Sequence, residues 1–352
     1  MRAAHTLARK GRMAAMARGS SGDGTGDEGG SGPCAAARPT ATRAVDYAVR
    51  ATAADGGILA LAASSARLCE EARRRHDAWP TAAAALGRVL TGAALLALPL
   101  KDGGSVTLRV RGDGPLGGVL ATAEASGAVR GYPVHPHVDL PVRADGKLDV
   151  GGAVGRFGLL TLTRDLGLRQ PYSGSAPLVS GEIADDLTHY LARSEQVPSL
   201  VALGVLVGTG GRVRAAGGLV VQILPGASDD TAAEIENNVA RMGAVSRCIA
   251  AGASPEDLVC EALGRFGPRF LQRSELRFHC PCGRRRTRAA LAALPRQELR
   301  AMREEDGGAE LVCHFCGRRY RFAADELAAL EGREQREEHP DVGRSAGAGA
   351  AY

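Results

Sequence analysis

The residues able to do chemistry lie close to the C-terminus: Cys280-Pro281-Cys282, a spacer of thirty residues, then Cys313-His314-Phe315-Cys316. Four thiols in two close pairs are a zinc signal. Zinc takes four thiolates at about 2.3 Å in a tetrahedron, and two pairs from separate turns fill that shell without water. Such a closed shell suits a structural or redox metal rather than a hydrolytic one. Each pair is followed at once by glycine, Gly283 and Gly317. A chelating turn that aims backbone N–H groups at sulfur usually needs a residue free to take positive φ. The first pair is unusual, because a single residue separates its cysteines where zinc ribbons typically use two to four. Two readings stand. One is a purely structural zinc ribbon. The other is a thiol switch in which the metal holds four low-pKa thiolates ready for oxidation, a disulfide between such close neighbours being strained and labile.

The thirty-residue spacer must carry its own structure. Thr287–Leu294 and Gln297–Glu304 are predicted as two short helices broken by Pro295. Leu311-Val312 leads into the second pair, Tyr320-Arg321-Phe322 leaves it as a strand, and Asp325–Leu330 closes the module as a helix. The whole chain of 352 residues is 45% hydrophobic but only 4% aromatic, so Ala, Leu and Val must fill its core. A net charge of +5 is too weak by itself to point to nucleic acid. No apolar run reaches the ~18 residues of a membrane span, and no membrane partner is expected. The other cysteines (Cys34, Cys69, Cys248, Cys260) are scattered, which suits a reducing compartment with one metal site rather than a secreted disulfide scaffold. Cys34 reads as incidental, and Cys248 and Cys260 read as small buried residues rather than redox partners.

Along the chain, residues 1–43 form a basic, Gly/Ser-rich extension with no acid before Asp23. That start fits a transit peptide for a plastid or the mitochondrial matrix; the alternative is a cytoplasmic protein with a disordered start. Residues 44–226 read as an α+β core: a mixed or antiparallel sheet with packed helices. Strands are expected at Ala44–Arg50, Gly57–Ala62, Ser105–Val110, Leu116–Thr122, Ala128–Pro133, Phe157–Thr163, Tyr172–Val179, Val201–Val207 and Gly217–Leu224. Helices are expected at Ala63–His76, at Thr81–Leu98 with Leu86, Val89, Leu90 and Ala93 on one face, and at Glu182–Arg193 with Ile183, Leu187, Tyr190 and Leu191 inward. Gly112-Asp113-Gly114 and Gly208–Gly211 lack the lysine and hydroxyl of a phosphate loop and read as hairpin turns. His135-Pro136-His137 reads as plain surface. No serine elbow and no paired catalytic carboxylates occur, so no enzyme is expected. Residues 227–275 read as a helical linker, with Ser254 as N-cap of Pro255–Phe266 and Val259, Leu263, Phe266 and Phe270 on its apolar side. Residues 276–331 are the four-cysteine zinc domain, and 332–352 a disordered tail.

With these stretches in view, the chain resembles the thirty-three-kilodalton heat-shock chaperonin family, the redox-regulated holdases, from about Ala44 to Leu330. The C-x-C, thirty-residue spacer and C-x-x-C arrangement carries the resemblance. Gly112-Asp113-Gly114-Pro115, Leu178–Glu182, Arg193–Pro198, Leu294-Pro295 and Cys316–Phe322 support it. The resemblance implies an ATP-independent chaperone of unfolded proteins, idle while one Zn²⁺ per chain is held by Cys280, Cys282, Cys313 and Cys316. Oxidation would release zinc, form Cys280–Cys282 and Cys313–Cys316 disulfides, unfold the linker and favour an active homodimer. Two features depart from the family pattern: the N-terminal extension, and Cys248 and Cys260 in the linker. The rival from another class is a zinc-ribbon nucleic-acid binder, because Arg284, Arg285, Arg286, Arg288, Arg318, Arg319 and Arg321 crowd the metal. Those arginines equally offset a negatively charged tetrathiolate zinc, so nucleic acid is not the expected partner. A thiol oxidoreductase is disfavoured by the spacing of the first pair and by the lack of a thioredoxin-like βαβ pattern.

Overall fold

Residues 45–225 and 229–331 are described by the computed structural model; the N-terminal extension and the C-terminal tail lie outside them. Two compact units divide between Cys280 and Pro281. The fold is α+β, and the strands of the first unit sort into two sheets. In chain order they are β1 (Tyr47–Ala53), β2 (Ile58–Ser64), β3 (Ser105–Arg111), β4 (Val119–Glu124), β5 (Ala128–Pro133), β6 (Leu159–Asp165), β7 (Tyr172–Pro177), β8 (Ser199–Val207), β9 (Val213–Ile223), β10 (Arg269–Glu275) and β11 (Arg277–Phe278). The first sheet runs β10-β1-β2-β9-β8 and the second β11-β5-β4-β3-β6-β7. Every pairing is antiparallel except β11 on β5.

Helices α1 (Ala66–His76) and α2 (Pro80–Ala97) follow β2 directly. Proline at the first position of α2 gives up an N–H that has no helical partner anyway. The sequence reading finds one apolar face on α2, yet nearly the whole helix is buried, because it touches β3, β4 and β5 on one side and β8 and β9 on the other. By length and composition α2 is also apolar enough to cross a membrane, contrary to the reading of the sequence; here 89% of it is buried inside the fold. Alanine and glycine make that central place possible: a Cβ at Gly87 would lie 2.8 Å from Val205 Cγ2 and 3.1 Å from Cys69 Sγ. The core around α2 is completed by α3 (Val150–Val154) and α4 (Ala184–Ser194), whose Leu187, Tyr190 and Leu191, with Ile183 before it, are fully buried as the periodicity predicts. Gly112 and Gly114 serve close approach rather than a tight hairpin, since a Cβ there would lie 2.2 Å from Val154 O or 2.4 Å from Ala153 O. Gly208–Gly211 does turn between β8 and β9, with Gly211 at φ 72°.

The linker supplies α5 (Asp229–Met242), α6 (Val245–Ala250) and α7 (Pro255–Leu263). Ser254 caps α7 as expected, and Asp257 returns the hydrogen bond to Ser254 N–H at 2.8 Å. These helices cover the face of the first sheet that points away from α2. Ile235, Met242, Val245, Leu258, Val259, Ala262 and Leu263 pack there on Val49, Ala51, Ile58, Ala60, Ala62, Leu219 and Val221. Alternation along β1 thus sends Ala48 to one core and Val49 to the other. The helical reading fails at the end of this segment. Arg269–Glu275 is a strand on β1, and Phe270 is 37% exposed there instead of sharing the apolar side of α7.

The second unit holds α8 (Arg284–Ala292), α9 (Arg296–Glu305), the hairpin β12 (Gly308–Val312) and β13 (Arg319–Ala323), and α10 (Ala324–Glu331). Its buried core is small: Leu291, Leu299, Tyr320, Phe322, Leu327 and Leu330.

Candidate metal centre

The two cysteine pairs sit at two turns, the first where this small unit begins and the second inside it. Cys313 and Cys316 occupy the β12–β13 turn, closed by Cys316 N–H and Gly317 N–H donating to Cys313 O at 3.2 and 2.8 Å. Gly317 takes φ 67°, the left-handed conformation that favours glycine. Cys280 and Cys282 lie between β11 and α8. Here the glycine expectation fails: Gly283 is extended, with φ −165°, and serves as the residue before α8, with open space where a Cβ would stand.

All four thiols lie within 4.8 Å of one another. Sulfur atoms on a tetrahedron with arms of about 2.3 Å are roughly 3.8 Å apart, so this donor set fits a four-thiolate metal. The Cys282–Cys316 contact, 3.3 Å, joins the two pairs across the site, as a shared shell requires. Cys316 is buried and the other three are half-buried. The Tyr320 hydroxyl donates to Cys282 Sγ at 3.1 Å, and this bond raises the phenol pKa. Arg318 has its pKa raised by the Tyr320 hydroxyl and, beyond it, the thiols of Cys282 and Cys316. Among the described residues no other group of three or more His, Cys, Asp or Glu gathers in this way. His137 meets Asp77 at 3.2 Å and the Trp79 ring at 5.5 Å between centroids, on the surface.

Some of the surrounding arginines are already engaged. Arg284 pairs with Glu326 at 2.6 Å and lies over the Phe322 ring at 4.5 Å, while Arg319 and Arg321 share Glu310 at 2.7 and 2.6 Å. Three of the seven cations offered to a phosphate backbone are therefore bound to carboxylates. Of the linker cysteines, Cys248 is a half-buried free thiol whose pKa is raised by desolvation, whereas Cys260 is disulfide-bonded and so is not the plain buried thiol expected.

Sequence reasoning missed Asp186. Its fully buried carboxylate accepts N–H bonds from Val179 at 2.7, Ser180 at 3.0, Gly181 at 3.3 and Ile183 at 2.9 Å. It thereby shapes the Leu178–Glu182 stretch, and holds Ile183 at φ 68°. An acid in the first turns of a predicted helix was the available signal.

A family profile described as Hsp33 protein matches residues 46–323. The 33 kDa chaperonin of Symbiobacterium thermophilum is 52% identical over 81% of this chain and 97% of its own length. That of Bacillus subtilis is 44% identical over 81% of this chain and 98% of its own. The crystal structure of the 33 kDa chaperonin from Thermotoga maritima superposes with a TM-score of 0.78 at 36% identity, covering 83% of this chain and 99% of that one.

Proposed function

The chain belongs to the Hsp33 family, and from that premise we propose that this chaperone is a redox-switched, ATP-independent holdase. Cys280, Cys282, Cys313 and Cys316 are its switch, and zinc is the metal they hold while reduced. The observation that carries the reading is the convergence of four thiols within 4.8 Å, three of them in a unit with so few buried side chains. Bound zinc would tie both turns together and keep the sulfurs as thiolates. On oxidation each pair, Cys280–Cys282 and Cys313–Cys316, forms one S–S bond and gives two electrons to a peroxide, which takes up two protons and leaves as two waters. Without its metal the zinc domain (276–331) unfolds. The linker (227–275) then loosens, and the apolar face under α5–α7 becomes available to unfolded client proteins. The oxidised form acts as a homodimer.

The named relatives are bacterial, which supports a cytoplasmic place and gives no support to removal of residues 1–43 as a transit peptide. The nucleic-acid reading is not favoured, because Glu310 and Glu326 already neutralise part of its basic surface. Zinc content and suppression of client aggregation, measured before and after peroxide treatment, test the proposal. One zinc per reduced chain and suppression only after its release are expected. Full suppression by the reduced zinc form would overturn it.

A further inference from the structure

Leu276 joins two strands that edge different sheets: β10 lies antiparallel on β1, and β11 parallel on β5. Of the two, β10 is weakly held by its side chains. None of its seven residues is buried, and Leu271 is 49% exposed. Its register on β1 slips between Arg50 and Ala51. The side-chain hold comes from Arg273, which lies over the Tyr47 ring at 3.8 Å and reaches Glu256 of α7 at 3.8 Å. β1 is the reverse: Ala48, Val49, Ala51 and Ala53 are all buried. The bond between the two strands is therefore mainly one of backbone to backbone. Backbone groups are common to every polypeptide, and a sheet edge holds any extended segment that can complete its ladder.

We propose that the β1 edge is a client-binding site, at which an extended apolar segment of an unfolded polypeptide adds as an antiparallel strand in place of β10. The inference rests on the holdase reading above, since β10 is the end of the segment that loosens. The present occupant shows what fits: a strand of seven residues, Arg269–Glu275. Once α5–α7 have also left, the client's alternate side chains on that face extend the apolar surface made by Val49, Ala51, Ile58 and Ala60. A polar, exposed β10 gives up its place to a Val- or Ile-rich segment because the newcomer buries more apolar area. Recognition through the backbone also gives breadth of clients without a sequence code.

The test uses the full chain, reduced or oxidised with peroxide, and a labelled soluble peptide of alternating valine and threonine flanked by lysines. A second probe is the same peptide N-methylated at two adjacent central amides. Adjacent amides point to opposite strand edges, so neither edge completes the ladder while every side chain is kept. The unmodified peptide is expected to bind the oxidised chain at least tenfold more tightly than the methylated one, and the reduced chain to bind neither. Hydrogen exchange in β1 should speed up on oxidation and slow again when the unmodified peptide is added. Equal binding of both peptides, or no renewed protection of β1, overturns strand addition even where oxidised chain suppresses aggregation. Failure to suppress aggregation at all, with neither peptide bound, overturns the holdase reading and this inference together.

Discussion

Single side chains in this fold are decided by what surrounds their polar atoms. Asp46, just before β1, is buried against the start of α1, where Leu68 N–H donates to its carboxylate at 2.6 Å. Burial pushes its pKa from 3.8 up to about 6, against the downward pull of the Leu68, Arg67 and Ala66 amides. The folded chain thus holds this proton more tightly than the unfolded one. The associated stability is fully present below pH 3.8 and is lost as pH rises toward 6. Asp46→Asn keeps an acceptor but removes the titration. Its stability relative to the parent should rise between pH 4 and 6 by up to about 2–3 kcal/mol and then level off. Urea midpoints of both proteins across that range check the sign; a difference that falls with pH refutes it. At the metal centre, Cys280→Ser leaves three thiolates, and a zinc titration should show sharply weaker binding. The cysteines were legible because their chemistry depends on type and spacing alone. Asp186 was not, because its role depends on four amides gathered from a loop, and Gly283 looked functional only through its place beside a ligand.

The elements divide by how much of their placement is local. α7 was readable from its N-cap, its proline and its apolar spacing, all of which act within the helix. β10 was not, since Arg-Phe-Leu-Gln-Arg-Ser-Glu has no clean alternation and becomes a strand only because β1 offers an unpaired edge. The existence of two sheets was equally hidden, because strand order is a tertiary fact that α2 enforces by lying between them. The linker's hold on the first sheet rests on a few side chains, of which Leu258 is fully buried. Leu258→Ala should cost roughly 2–5 kcal/mol of that hold. Faster hydrogen exchange in α5–α7, and aggregation suppression at milder heat or with less oxidant than the parent needs, are the expected outcomes. A variant with unchanged exchange and an unchanged threshold would show that linker packing does not set the switch.

For the whole molecule the decisive comparison is between a small core and the zinc proposed for it. The hydrophobic core of the second unit has six buried side chains, and a domain so small is marginal by burial alone. A structural zinc contributes an apparent ~10–16 kcal/mol in zinc-finger peptides, as much as the ~5–15 kcal/mol net stability of an ordinary domain. Removing zinc by chelation while the thiols stay reduced should therefore unfold residues 281–331 without any disulfide forming. If the metal is the brake, such a chain, gently warmed, should begin to protect an unfolded client, because loosening of the linker is itself a local unfolding step. Zinc returned before warming should abolish the protection. A zinc-ribbon binder of nucleic acid behaves in the opposite way, since loss of the metal destroys its binding face. Circular dichroism at the helix band, zinc release and light scattering of a denatured client, recorded on one sample, separate the two. Strong, salt-dependent nucleic-acid affinity of the zinc form, with no client protection after chelation or oxidation, would reverse the assignment of the switch.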